Sequence, residues 1–208
     1  MCADIDAQCG NYDVLIDTLN RFRAGESICL QGNAGTGKSY AMSILAQQAD
    51  LMFDRREIAF VAPNGMACFN LDFRAVTIHT LLGYNTIHID ASAELAIRHI
   101  VEVEGKHEEL KAIRVIFFDE VGAISSAVGF IIDKVFRFVN GNDKYMGGVQ
   151  VIAAGQLLQL SGIIDSQHKE LTKELGVDAM GMLPEFIDNT TAVYLNRIFR
   201  TVDIEFQQ

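Results

Sequence analysis

Apolar residues gather in short blocks, and between them lie longer stretches with helical periodicity. Val14, Leu15, Thr18, Leu19 and Phe22 recur at helical spacing, and Gly25 follows as a stop. Ser27 to Gln31 then reads as a buried strand, and a helix opens at Lys38 with Met42, Leu45 and Ala49 on one face. Ile58 to Ala62 is a second strand, closed by Pro63 and Gly65. Ile113 to Phe118 is a third, and Val149 to Ala154 a fourth, introduced by Gly147 and Gly148. Ser125 caps a helix whose Val128, Ile131, Ile132, Val135 and Val139 form an apolar stripe, and Thr191 to Leu195 is the last strand. Tyr84 to Lys111 is polar and holds three of the five histidines, so residues 84–112 read as a small insertion. Apolar strands alternating with helices predict one α/β domain over residues 1–208, a mostly parallel sheet with helices on both faces.

Between the first strand and the Lys38 helix stands Gly32-Asn33-Ala34-Gly35-Thr36-Gly37-Lys38-Ser39, followed by Tyr40. In a loop of this spacing the glycines let backbone N–H groups converge on phosphate oxygens, and the next helix adds its positive end. Lys38 reaches the β- and γ-phosphates, and the Ser39 hydroxyl completes a magnesium shell. The pattern arises by chance in roughly one chain in a hundred of this length. Strand before and helix after are the context it requires, so the sequence predicts a P-loop fold that binds ATP with Mg2+.

Val115-Ile116-Phe117-Phe118 ends in Asp119-Glu120. Ligands of open parallel sheets bind beyond the carboxyl ends of strands, which puts this pair beside the phosphate loop. Asp119 suits magnesium, and Glu120 suits polarisation of an attacking water.

Composition narrows the setting. The chain has 208 residues, half of them apolar, enough for one well-buried domain. Its 27 acidic against 17 basic residues repel a polyanion overall, so nucleic-acid binding has to come from a local surface. Cys2, Cys9, Cys29 and Cys68 have no CxxC spacing, which fits a reducing compartment without structural zinc. The apolar runs are strand-sized and Asp4 and Asp6 sit at the start, so a soluble, intracellular protein is expected.

Two further stretches narrow the class. Ala62-Pro63-Asn64-Gly65-Met66-Ala67-Cys68 precedes Thr77-Ile78-His79, and Gly155-Gln156-Leu157-Leu158-Gln159-Leu160 follows the fourth strand. With Asn196-Arg197-Ile198-Phe199-Arg200-Thr201, the set resembles the RecD/Pif group of superfamily-one DNA helicases in order and spacing, across residues 12–206. The resemblance implies the first RecA-like motor domain of a 5′-to-3′ helicase acting in DNA repair and recombination. It assigns Gln159 to sensing the γ-phosphate and Arg200 to stabilising charge on the transferring phosphate. Pro63, Asn64, Gly65, Thr77 and His79 would touch single-stranded DNA, mainly its backbone.

Departures accompany the matches. Asn64 replaces the family's usual Thr, Gln156 its Asp, Gly122-Ala123 its Ser-Met, and Thr201 its Gln. Gln8 stands, at long spacing, where the family reads adenine. Few residues follow Phe206, so the second RecA-like domain is expected from a longer protein or in trans. Other readings of the same loop are an AAA+ type loader, which would need a sensor arginine in a small helical domain, and a non-catalytic ATP-binding module.

Overall fold

The computed structural model describes residues 2–72, 74–83, 93–155 and 184–196. Gln156, Gln159, Arg200 and Thr201 lie outside them, as does the side chain of Gln8. The strands are β1 (Ile28–Gln31), β2 (Ile58–Ala62), β3 (Val76–Thr77), β4 (Val115–Phe118), β5 (Gln150–Ala154) and β6 (Thr191–Tyr194). They form one six-stranded sheet in the order β3-β2-β4-β5-β1-β6, and every pairing is parallel. β2, β4 and β5 are buried along their whole length, which is why each reads as an unbroken apolar run rather than an alternation.

Helices cover both faces. On one side α1 (Cys2–Arg23) and α2 (Lys38–Met52) pack Phe22, Met42, Leu45 and Ala49 onto Leu30, Phe60, Phe117 and Ile152. α1 ends as Gly25 turns left-handed (φ 81°), its N–H on Phe22 O while Glu26 N–H reaches Arg21 O. The other face carries α4 (Ile78–Leu82), α5 (Ala93–Glu102), α6 (Lys106–Ala112) and α7 (Ser126–Asn140), packed onto Val61, Ile116, Phe118 and Val151. α3 (Gly65–Leu71) follows β2, and α8 (Pro184–Asn189) precedes β6. Among the described residues no helix is long and apolar enough to cross a membrane.

Most predicted elements stand where the pattern put them. Ser125 accepts from Val128 N–H at 3.3 Å, and Gly141 closes α7 in the left-handed region. Ile131, Ile132, Val135 and Val139 are buried as predicted, and Val128 is half-buried. The strand read from Ile113 begins at Val115, because Ile113 closes α6. The polar stretch to Lys111 holds α5 and α6, which place Ala96, Ile100 and Leu110 in the core against α7. Cys29 is a core residue, and burial pushes its thiol up to about 11.

One carboxylate is buried for structural reasons. Asp133, on α7, is fully buried, accepts from Met146 N–H at 2.7 Å and pairs with Arg137 Nε at 2.7 Å. Arg137 also holds Glu185 at 2.9 Å, which ties α8 to this corner. Met146 is left-handed (φ 50°), a conformation that needs such a tie. Replacing Asp133 by alanine strands a buried N–H and half of an ion pair, a loss of about 3 kcal/mol. Thermal unfolding followed by circular dichroism should show the midpoint falling by roughly 10 °C, and a change under about 2 °C would contradict the account.

Candidate active site

The carboxyl ends of the strands form one edge, and strand order fixes the sequence of groups along it. From β3 to β6 the edge presents Thr77 and His79, then Pro63 to Gly65, then Asp119-Glu120, Gly155, the loop Gly32 to Ser39, and Leu195. β5 therefore separates the phosphate loop from the acidic pair by two strand spacings, roughly 10 Å.

The loop is shaped by close approaches. A Cβ on Gly32 would lie 2.5 Å from Leu195 O and 2.6 Å from Thr36 Oγ1, so only glycine fits there. Thr36 is buried and its hydroxyl donates to Asn33 O at 2.9 Å. Gly37 is left-handed (φ 91°) at the head of α2, with no side-chain cap and no acidic residue in the first turn. The first amides of α2 thus face the loop, together with the positive end of the helix dipole. Lys38 Nζ donates to Gly32 O at 2.6 Å and to Asn33 O at 3.0 Å. Ser39 and Tyr40 are exposed on the first turn of α2.

Asp119 and Glu120 leave β4 in different environments. Asp119 N–H donates to Val61 O at 3.1 Å, and its Oδ1 accepts from Glu120 N–H at 2.9 Å. Burial raises its carboxyl above the ordinary range, with the Glu120 amide and the Lys38 charge pulling the other way. That Lys38 acts on Asp119 at all means that the loop and the pair share one electrostatic neighbourhood. Glu120 is exposed and left-handed (φ 49°, ψ 44°), followed by the 3-10 turn Val121–Ala123. A non-glycine residue held there stores of order 1 kcal/mol of strain, a feature that clusters at functional sites.

Two of the predicted DNA contacts serve as helix caps. Asn64 Oδ1 accepts from Ala67 N–H at 3.0 Å at the start of α3, and Thr77 Oγ1 from Thr80 N–H at 3.3 Å at the start of α4. Asparagine and threonine both cap well, so Asn64 keeps the local geometry that the family's threonine would give. Pro63 and His79 are half-buried and Gly65 is exposed. A Cβ on Gly65 would meet nothing within 4 Å.

Two residues contribute backbone contacts to the loop that the sequence did not assign to them. Leu195 covers Gly32 with its carbonyl, its own N–H donating to Gln31 O at 2.8 Å, and Gly155 N–H donates to Leu30 O at 3.2 Å. Both are backbone roles without a side-chain signature: Leu195 showed only as the end of an apolar run, and Gly155 only as the first residue of the segment that runs to Leu160.

Comparisons with known proteins agree with this architecture. A family model described as PIF1-like helicase matches residues 6–181. The ATP-dependent DNA helicase Pif1 of Psychrobacter sp. is 28% identical over 145 residues, 68% of this chain and 21% of that protein. PIF1 of Emericella nidulans is 24% identical over 184 residues, 88% of this chain and 24% of its own length. This chain therefore spans about a quarter or less of the length of these two relatives. The crystal structure of Pif1 helicase from Candida albicans matches with a TM-score of 0.76 at 22% identity, over 93% of this chain and 42% of that one. Bacteroides Pif1 bound to ssDNA matches with a TM-score of 0.73 at 24% identity, over 93% and 43%. At such identities the structural likeness speaks for the fold.

Proposed function

Because the chain belongs to the PIF1-like helicase family, we propose that it is the ATP-hydrolysing motor domain of a DNA helicase. One observation carries the reading: the sheet order sets the Lys38 loop and Asp119-Glu120 on the same carboxyl edge, with only the end of β5 between them. The relatives' names speak for ATP and DNA, and the complex of Bacteroides Pif1 with ADP-AlF4 speaks for nucleotide use in that protein.

In this reading the backbone from Gly32 to Tyr40 cradles the phosphates, and Lys38 neutralises charge on the outer ones. The Ser39 hydroxyl and the Asp119 carboxylate are hard oxygen donors, the set that suits Mg2+ alongside phosphate oxygens. The ion, when bound, supplies charge neutralisation at the β- and γ-phosphates. Glu120 orients and deprotonates the attacking water. Gln159 senses the γ-phosphate and Arg200 stabilises charge in the transition state, as the family resemblance assigns. Pro63, Asn64, Gly65, Thr77 and His79 line the path of single-stranded DNA, one or two strands from the acidic pair and three or four from the loop. Residues 1–208 act as one RecA-like domain that works with a second, which completes the cleft.

The test is ATP hydrolysis by this domain joined to a second RecA-like domain, with and without single-stranded DNA. Stimulation by DNA is the expected result, and its absence would remove the helicase reading. Gly65→Ala is the matching probe, since the added methyl meets open space in the protein. It should leave folding and basal hydrolysis unchanged and weaken DNA binding roughly tenfold, the size of about 1.4 kcal/mol. Fluorescence anisotropy with a labelled oligonucleotide reads this directly.

A further inference from the structure

The end of β5 touches both halves of the proposed site through a residue that has no side chain. On one side Gly155 N–H donates to Leu30 O at 3.2 Å, two residues before Gly32. On the other, a Cβ built on Gly155 would stand 2.9 Å from Val121 N, 3.0 Å from Val121 Cγ1 and 3.3 Å from Gly122 N. Its φ of 159° is one that residues with side chains rarely adopt. The atoms it presses on belong to the turn that begins at Glu120. Val121 is fully buried, Ala123 N–H donates to Glu120 O at 2.8 Å and Ile124 N–H to Val121 O at 3.1 Å. Glu120 itself is left-handed, which persists only where neighbouring structure holds it.

We infer that Gly155 is a positioning residue for hydrolysis. Its bare backbone, wedged between Leu30 and Val121-Gly122, sets where the Glu120 carboxylate stands relative to the phosphate loop. The inference rests on the reading of Glu120 as the group that activates water. A methyl at position 155 pushes the turn away from β1, and displacements of this order cost catalysis more than binding, because the phosphates are held by the loop instead.

The test follows single-turnover hydrolysis of radiolabelled ATP by the whole chain in excess. The dissociation constant for a fluorescent ATP analogue and the thermal midpoint are measured beside it. Gly155→Ala should slow hydrolysis by at least about tenfold while nucleotide affinity stays within about twofold. Adding Val121→Ala should restore part of the rate, because the contact with Cγ1 disappears. A folded Gly155→Ala protein that hydrolyses at the wild-type rate overturns the inference. If that variant does not fold, Val121→Ala alone decides. It loosens the same contact without adding atoms, so slower hydrolysis at unchanged affinity supports the inference and a wild-type rate overturns it. Glu120→Gln runs in parallel. A wild-type rate there would overturn the role given to Glu120, and this inference with it, whereas a slow Glu120→Gln beside a normal Gly155→Ala overturns only the role of Gly155.

Discussion

Alanine at position 38 should abolish measurable ATP hydrolysis and weaken ATP binding by roughly ten- to a hundredfold, the worth of a charge-assisted hydrogen bond. The geometry says why one side chain carries so much. Lys38 Nζ lies across the loop against two of its carbonyls, Gly32 O and Asn33 O, so its charge sits where the outer phosphates would arrive. The chain has 27 acidic and 17 basic residues, so little background potential favours a triphosphate. What remains is local: the α2 amides, the helix dipole and this ammonium. The ammonium also acts on Asp119, so its loss disturbs the carboxylate proposed for magnesium. Lys38 is only half-buried, and the fold should hardly notice its removal. Titration with a fluorescent ATP analogue, phosphate release and thermal unfolding together check the claim. A variant that keeps more than about a tenth of wild-type hydrolysis would show that the charge is dispensable and that the loop's amides do the holding.

The sequence made β1, β2, β4 and β5 legible because parallel strands buried on both faces leave an unbroken apolar signal, as Val115 to Phe118 does. α5 and α6 were hidden by the opposite circumstance. α5 sets Glu94, Arg98 and Glu102 among its buried Ala93, Ala96 and Ile100, and α6 contributes a single buried residue, Leu110, so the stretch reads as polar although both helices reach the core. Phe136 and Phe138, two residues apart on α7, have different surroundings, Phe138 setting its ring edge-on to His107 of α6. Phe136 is fully buried, whereas Phe138 is 43% exposed, because it points off the buried stripe of α7. Strand order was out of reach for a different reason. Which strand lies between β1 and β4 depends on pairings more than thirty residues apart along the chain, and no local pattern records them. The motif residues could be read because their chemistry is in side-chain identity. The arrangement that joins them, with β5 wedged between loop and acidic pair, is backbone geometry.

Glu120→Gln should leave ATP binding intact and slow hydrolysis by about a hundred- to ten-thousandfold, the usual worth of a positioned general base. Glutamine keeps the shape and the hydrogen-bonding reach but cannot take a proton, so the loss falls on the chemical step. The backbone at this position allows a sharper comparison. Glu120 is exposed and left-handed, so the fold gains little from its side chain and bears the strain of its conformation. Glycine at 120 would relieve about 1 kcal/mol of that strain, partly offset by the entropy that glycine gains in the unfolded chain. Glu120→Gly should therefore be as inactive as Glu120→Gln yet no less stable than wild type, with a midpoint raised by up to about 3 °C. A residue kept for packing would behave in the opposite way, with stability falling and activity following it down. Thermal unfolding of both variants beside their single-turnover rates separates the cases. A destabilised Glu120→Gly protein would mean that the turn is shaped by the glutamate itself rather than held around it for catalysis.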